Sequence, residues 1–221
     1  MQWSSASVSR LLNQPDRATL GWMVVLALAQ FSFIASIDGC SLGLWLKIVL
    51  VGAPLCSALY QCNLEFALNL CLGSATGDRT LAILANWPTG LPYAELVRSF
   101  HSEHMAFQGS AAGKDPERPS PWELQYIHGA GLKLLYLALH PLVLAHRLLF
   151  RQTLTLTRFV WSNLGSQCLC NLLVWYWWGG WAVFYMLAST YVGASPWHPA
   201  AFYFLTHHHL CTTEIEVNTQ T

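Results

Sequence analysis

Nine histidines are the residues of this chain with the clearest capacity to bind a metal ion. His101 and His104 stand three positions apart, and on a helix this spacing places both imidazoles on one face. Imidazole nitrogen is a common ligand of transition metals, and Glu103 adds a carboxylate nearby. A histidine triplet at positions 207–209 follows the last apolar segment. Two histidines at this spacing are common by chance and are more typical of a solvated polar loop, and a triplet near a C-terminus is often part of a flexible tail, so the metal site stays one of two open interpretations.

The composition predicts an integral membrane protein. Of the 221 residues, 54% are hydrophobic and only 10% are charged, whereas about a quarter of the residues of a soluble domain are charged. Eleven tryptophans are also many for this length, and tryptophan concentrates at membrane–water interfaces. The formal net charge is zero, which leaves no excess of positive charge for binding nucleic acid.

The apolar segments predict an all-α membrane fold with four transmembrane helices arranged as two hairpins. Each segment approaches the roughly 20 residues that cross a bilayer core. Asp38-Gly39 supplies the turn of the first hairpin, and Gly179-Gly180, flanked by tryptophans, supplies the turn of the second. The four spans are predicted at about residues 20–37, 41–60, 163–178 and 181–196.

The distribution of charge predicts the topology. Lysines and arginines are absent from both hairpin turns, and all but Lys47 lie outside the hairpins or just ahead of the second one. By the positive-inside rule, the termini and the histidine-bearing region between the hairpins are cytosolic and the turns are lumenal. The apolar stretch 132–150 is interrupted by charges, and it predicts a helix lying at the membrane interface.

These features divide the chain into a cytosolic N-terminal segment (residues 1–19), a membrane domain (20–210) and a polar tail (211–221). Glu65 lies in an apolar run at the end of the second span. A carboxylate in that position is a functional candidate. The alternative is that Glu65 simply reaches the headgroup region of the bilayer.

Several strings of residues, in matching order over about residues 8–210, resemble the sphingolipid delta(4)-desaturase (dihydroceramide desaturase) branch of the membrane fatty-acyl desaturase superfamily. The most specific is Ala85-Asn-Trp-Pro-Thr-Gly-Leu-Pro-Tyr93. The others are Leu64-Glu-Phe-Ala-Leu-Asn69, Phe100-His-Ser-Glu-His104, His140-Pro-Leu-Val-Leu-Ala-His-Arg147, Tyr185-Met-Leu-Ala188 and His198-Pro199.

The resemblance implies residence in the endoplasmic reticulum and a membrane lipid as substrate, with dihydroceramide converted to ceramide. It also implies two iron ions in a cage of histidines, with electrons supplied by cytochrome b5. Activation of oxygen on iron requires such imidazole-rich ligation with positions left open. No catalytic acid, base or nucleophile is assigned.

The sequence departs from the family pattern at the expected ligands. Leu64 and Leu68 occupy both histidine positions of the first box, and Met105 replaces the third histidine of the second box. His101 and His104 match that second box. The histidine expected after the last span corresponds to His208, and the third box of the family lies beyond Thr221. A complete di-iron site is therefore not expected, and the chain is interpreted as a divergent, C-terminally truncated copy.

Three hypotheses follow. The first is a desaturase-like membrane protein that lacks desaturase activity. The second is an active dihydroceramide desaturase of which this chain is an incomplete version. The third is a non-enzymatic lipid-binding or regulatory partner of an active desaturase.

Overall fold

A computed structural model of the chain describes residues 15–107, 121–150, 157–196 and 198–199. Within these ranges every regular element is helical and no strand occurs, which confirms the all-α prediction for this part of the chain. The helices are α1 (Ala18–Ala35), α2 (Leu42–Ala67), α3 (Ala75–Asn86), α4 (Ala94–Phe107), α5 (Pro121–Tyr126), α6 (Ala130–Phe150), α7 (Arg158–Trp178) and α8 (Gly180–Gly193).

Helices α1 and α2 are the two described helices that are both long and apolar enough to cross a bilayer. Their most apolar 18-residue windows have mean hydropathy values of 1.8 and 1.9. Only 22% and 33% of these windows are buried within the protein, so most of their apolar surface is exposed. Trp22 and Leu28 on α1 and Leu50 on α2, for example, are each more than 60% exposed. Apolar helices with exposed apolar sides fit a membrane protein.

Two polar contacts hold the turn between α1 and α2, one at the beginning of α2 and one to the end of α1. Ser41 caps α2 by accepting a hydrogen bond from the backbone N–H of Leu44 at 3.3 Å. The ammonium group of Lys47 donates to the backbone oxygen of Ser36 at 2.9 Å. Lys47 thus extends along α2 back to the turn, the behaviour expected of a lysine whose stem lies in apolar surroundings.

Close packing of α2 against α8 requires small residues. The central part of α2, Ile48–Gly52, is a π-helical turn that ends where the two helices meet. A Cβ atom added to Gly52 would overlap the side chain of Ser189 on α8. A Cβ atom added to Gly193 would lie 2.5 Å from the backbone oxygen of Ala53. The hydroxyl of Ser57 donates to the backbone oxygen of Gly193 at 2.6 Å, which locks the same contact with a hydrogen bond.

Two apolar clusters form the core. One lies between α1, α2, α7 and α8, and Ile34, Ile48 and Tyr185 are fully buried in it. The other joins the beginning of α1 and the end of α2 to α3 and α4, around the fully buried Leu59 and Phe66. The second cluster matters for function because it positions the histidine-bearing helix α4 beside the end of α2.

Helices α5 and α6 are joined to one another by an ion pair. The Arg147 guanidinium lies 2.5 Å from the Glu123 carboxylate, and both side chains are buried. The same guanidinium donates to the hydroxyl of Tyr136 at 3.0 Å. One contact to the bundle comes from Tyr191 on α8, whose hydroxyl donates to the backbone oxygen of Ala138 at 2.5 Å.

The contact at Gly193 yields a prediction about stability. We expect Gly193→Ala to lower the free energy of unfolding by about 1–3 kcal/mol, because the new methyl group forces α8 away from the backbone of α2. The matched control is Gly165→Ala on α7, where an added Cβ meets no atom within 4 Å. This control should be neutral or stabilising by up to about 1 kcal/mol, because alanine favours helix. Thermal unfolding of the purified proteins in detergent measures both, and equal melting temperatures for the two variants would contradict the packing described.

Candidate functional site

The structure brings the end of α2 and the helix α4 together. Leu64 lies in the last turn of α2 and Leu68 directly follows that helix. Arg98 on α4 donates to the backbone oxygen of Phe66 at 3.5 Å and to the side-chain oxygen of Asn69 at 2.5 Å. The end of α2 is therefore joined directly to α4, the helix that carries His101 and His104.

His101 and His104 lie one turn apart on α4, as their spacing predicts. His104 is buried and His101 is half-buried. Met105 follows on the same helix. His208, with the rest of its triplet, lies outside the described residues. The structure therefore places two of the three predicted ligands on one helix and does not describe the third.

The donor atoms at the described positions do not fit a pair of iron ions. Leucine side chains have no atom that binds a metal, so Leu64 and Leu68 supply no ligand. A thioether such as that of Met105 is a soft ligand suited to copper rather than to oxygen-activating iron. Among the described residues, no group of three or more histidine, cysteine, aspartate or glutamate side chains lies close enough to hold a metal ion.

Glu65 has a partner on another helix. Its carboxylate accepts a hydrogen bond from the hydroxyl of Thr19, at the beginning of α1. Thr19 is buried, and Glu65 is half-buried. The carboxylate thus joins the end of α2 to the beginning of α1, where both helices reach the same end of the bundle.

The most specific string of the sequence forms a short irregular connection between α3 and α4, which we call the proline segment (residues 87–92). Trp87–Thr89 make one turn of 3-10 helix, and Gly90 follows with φ of 82°. That left-handed conformation favours glycine, and the Leu187 side chain would lie 3.0 Å from an added Cβ. The segment therefore passes tightly against α8.

Side chains of α7 and α8 bind the backbone oxygens of the proline segment. Asparagine, glutamine and threonine donate four hydrogen bonds to it, at 2.6–3.3 Å. The pairs are Asn163 with Pro92, Gln167 with Trp87, Asn171 with Gly90, and Thr190 with Thr89. Asn163 and Gln167 are almost completely buried, so these contacts are made away from water.

Asn86, which precedes the proline segment, is at the centre of a buried amide cluster. Its amide group lies 3.3 Å from that of Asn63 on α2 and 3.0 Å from that of Asn163 on α7. The backbone N–H groups of Tyr93 and Ala94 point at the Asn86 amide group. When the amide oxygen of Asn86 faces α4, it accepts hydrogen bonds from these two groups at 3.2 and 2.9 Å. In that orientation the Asn86 oxygen satisfies two backbone N–H groups at the buried beginning of α4. The cluster therefore joins α2, α3, α4 and α7.

The sequence contained a signal for this cluster that went unused. Residues 163, 167, 170 and 171 recur at helical spacing, and all four are polar or cysteine within an otherwise apolar run. Such a stripe on a predicted span indicates a face turned toward protein rather than lipid. Asn63 and Asn86 could not be assigned to this cluster from the sequence, because an asparagine alone does not identify its partner.

Two arginines and a glutamate lie close together on and beside α4, and one arginine changes the pKa of the other. Burial lowers the pKa of the Arg98 guanidinium below its ordinary value, and the positive charge of Arg79 lowers it further. Arg98 remains a cation, because arginine does not lose its proton in proteins. Arg79 on α3 lies 3.3 Å from the carboxylate of Glu95 on α4. Burial also raises the pKa of the Tyr93 phenol, which is therefore neutral.

Comparisons with known proteins identify relatives of one kind. The chain is 27% identical over 207 residues to the sphingolipid delta(4)-desaturase DES1 of Gallus gallus, covering 91% of this chain and 62% of the relative. It is 29% identical over 210 residues to DES1 of Pongo abelii, covering 90% and 62%. It is 32% identical over 138 residues to the sphingolipid delta(4)-desaturase/C4-monooxygenase DES2 of Homo sapiens, covering 62% and 42%.

The chain spans about three fifths of the length of the curated DES1 relatives that it matches. No family model matches the chain. No solved structure matches it. These similarities support the resemblance drawn from the sequence strings and make the chain a divergent desaturase-like protein.

The Arg98 contacts yield a second prediction. We expect Arg98→Ala to lower the free energy of unfolding by about 2–3 kcal/mol, because two charge-assisted hydrogen bonds from α4 to the end of α2 are lost. Ser102→Ala is the control, because this exposed residue on the same helix donates only to the backbone oxygen of Arg98. Chemical denaturation in detergent measures both variants. A variant at Arg98 as stable as the control would show that this contact does not hold α4.

Proposed function

We propose that this divergent desaturase-like chain is a membrane protein of sphingolipid metabolism that lacks a complete di-iron site and is therefore impaired as a desaturase. The similarity to sphingolipid delta(4)-desaturases supports the lipid class. One observation carries the impairment: leucines stand at positions 64 and 68, where the first pair of metal-binding histidines is expected. Dihydroceramide and ceramide are the lipids that we expect it to contact.

The proposed membrane arrangement has four spans in two hairpins within a membrane domain of residues 20–210. Its spans are at about residues 20–37, 41–60, 163–178 and 181–196. Contacts between α2 and α8 support side-by-side packing of the two hairpins. The exposed aromatic residues around Gly179 support placing that turn at a membrane interface. They are Trp175, Tyr176, Trp177, Trp178 and Trp181.

We place the termini, including residues 1–19 and the tail 211–221, and the region of α3 to α6 on the cytosolic side of the endoplasmic reticulum membrane. The charge distribution supports the sidedness, because Lys47 is the one lysine or arginine within a hairpin. Its ammonium group reaches the turn at Ser36 and does not remain in the apolar part of the span. The endoplasmic reticulum is proposed from the resemblance alone.

The proposed metal chemistry is limited to a remnant of the family site. His101, His104 and His208 are the ligands that we expect to persist, and iron is the metal that the family uses. Three imidazoles suffice for one ion at most, because each iron of an oxygen-activating site is held by about three protein ligands. Cytochrome b5 is expected as a partner only if this chain is active.

The activity gives the third prediction. Expressed in cells that lack their own sphingolipid desaturase, the chain should form no ceramide from labelled dihydroceramide above background. The full-length relative of Gallus gallus, expressed in parallel, is the positive control. Iron measured on the purified chain should be well below two ions per molecule, because the leucines supply no donor. Ceramide formation that is lost in His101→Ala would contradict the proposal and favour an active enzyme.

A variant that restores histidines at the expected ligand positions tests the same proposal by a gain of metal binding. Leu64→His, Leu68→His and Met105→His combined should raise the iron content above that of the unchanged chain, because three imidazoles are added near His101 and His104. Leu70→His, which adds an imidazole outside the boxes, is the matched control and should not raise it. Equal iron in the combined variant and the control would show that positions 64 and 68 do not belong to a metal site.

The topology gives the fourth prediction. Cys40 is exposed and lies in the turn of the first hairpin. A membrane-impermeant maleimide should label it in microsomes only after permeabilisation, because the turn is proposed to be lumenal. Cys71 serves as an internal control, since it is buried and burial raises the pKa of its thiol. It should stay unlabelled in both conditions, as mapped by mass spectrometry. Labelling of Cys40 in intact microsomes would reverse the proposed orientation.

A further inference from the structure

An open cleft of about 250 Å³ lies between α3, α4 and the beginning of α7. It is smaller than the roughly 300–1,000 Å³ of pockets that enclose whole drug-sized ligands. Six of the residues that line it are charged or carry a hydroxyl group. They are Arg79, Glu95, Arg98, Ser99, Ser102 and Thr157.

The charge around the cleft is predominantly positive. Arg79 and Arg98 line it, and Glu95 is the one acidic residue among the lining residues. The guanidinium carbons of Arg79 and Arg158 lie 4.7 and 5.2 Å from the centre of the same ring, that of Phe159. Two guanidiniums, those of Arg79 and Arg98, therefore line the cleft beside the one carboxylate of Glu95, and Arg158 lies on the Phe159 ring outside the lining. The next acidic group, Asp78, does not line the cleft, since it is fully buried and accepts the N–H groups of residues 72 and 74.

Arg79 has a hydrogen-bond donor that no described residue uses. Arg79 uses one terminal nitrogen in its ion pair with Glu95. Its Nε is buried and makes no hydrogen bond to any described residue. A guanidinium binds a phosphate through two parallel N–H groups, one of which is commonly Nε. Such an unpaired buried N–H costs free energy unless a ligand or water accepts from it.

Helix α7 adds a second source of positive potential. The hydroxyl of Thr157 accepts from the backbone N–H of Val160 at 3.4 Å and so caps the beginning of this 21-residue helix. Thr157 itself lines the cleft. The beginning of a helix carries a partial positive charge and favours bound anions.

We propose that this cleft binds a phosphate group. Arg79 would bind the phosphate oxygens directly, Arg98 and the beginning of α7 would stabilise its charge, and the hydroxyl of the exposed Ser99 would complete the contacts. The group can come from an anionic phospholipid or from free phosphate. If the phosphate belongs to a phospholipid, the beginning of the third span must lie at the depth of the lipid headgroups. Binding of a lipid phosphate therefore rests on the proposed membrane function, and binding of free phosphate does not.

The test measures binding to the purified full-length chain in neutral detergent. Inorganic phosphate is titrated at constant ionic strength, and short-chain phosphatidic acid is compared with short-chain phosphatidylcholine in mixed micelles. We expect Arg79→Gln to weaken binding roughly tenfold, because a charge-assisted pair of hydrogen bonds is lost. Ser99→Glu should weaken it at least as much, because the exposed residue then places a carboxylate in the cleft without removing an existing ion pair.

Lys133→Gln is the matched control, since it removes one positive charge from an exposed position on α6 outside the cleft. The proposal is supported if the unchanged chain binds both phosphate and phosphatidic acid, the two cleft variants lose this binding and the control keeps it. Binding of phosphatidic acid alone supports it with the lipid as source, and binding of phosphate alone supports it with the free anion as source. No binding, or binding that falls equally in the control, overturns it. Because no desaturation is measured, these outcomes are independent of whether the chain is enzymatically impaired.

Discussion

The structure depends on hydrogen bonds to the backbone of the proline segment. This segment departs from α-helical geometry while packed among apolar helices, so its backbone oxygens cannot rely on the regular bonds of a helix. An unsatisfied backbone group in apolar surroundings costs several kcal/mol. Four side chains of α7 and α8 bind these oxygens, and the amide of Asn86 lies against the beginning of α4. The requirement explains why α7, otherwise apolar, carries buried amide side chains.

This constraint also positions the candidate site. The proline segment sets where α4 begins, and Arg98 then holds α4 against the end of α2. His101 and His104 follow Arg98 by about one and two turns along the same helix. Polar contacts therefore hold the histidine-bearing helix in place, while Leu64 and Leu68 at the end of α2 supply no atom that binds a metal. Scaffold and ligands can diverge separately, because packing depends on shape and on internal hydrogen bonds, whereas metal binding depends on individual donor atoms.

Much of the helical architecture could be predicted from the sequence. The apolar runs and the Asp38-Gly39 signal place the α1–α2 connection within a few residues of where the structure has it. The sequence strings also identified the relatives correctly. The π-helical turn at Ile48–Gly52 could not be predicted, because it follows from the close approach of α8, which local sequence does not encode. The partners of Glu65 and Asn86 were likewise beyond prediction, since the Thr19 and Asn163 contacts join residues 46 and 77 positions apart.

The bonds between Asn163 and the proline segment have a consequence for biosynthesis. The donor follows the acceptor, Pro92, by 71 residues. At a synthesis rate of about 5–20 residues per second, the ribosome needs roughly 4–14 seconds to supply α7 after the proline segment has emerged. During that interval the first hairpin is complete, but the carbonyl groups of the segment lack their native donors and are bound by water. The segment can therefore take its packed position among the helices only after α7 has been made.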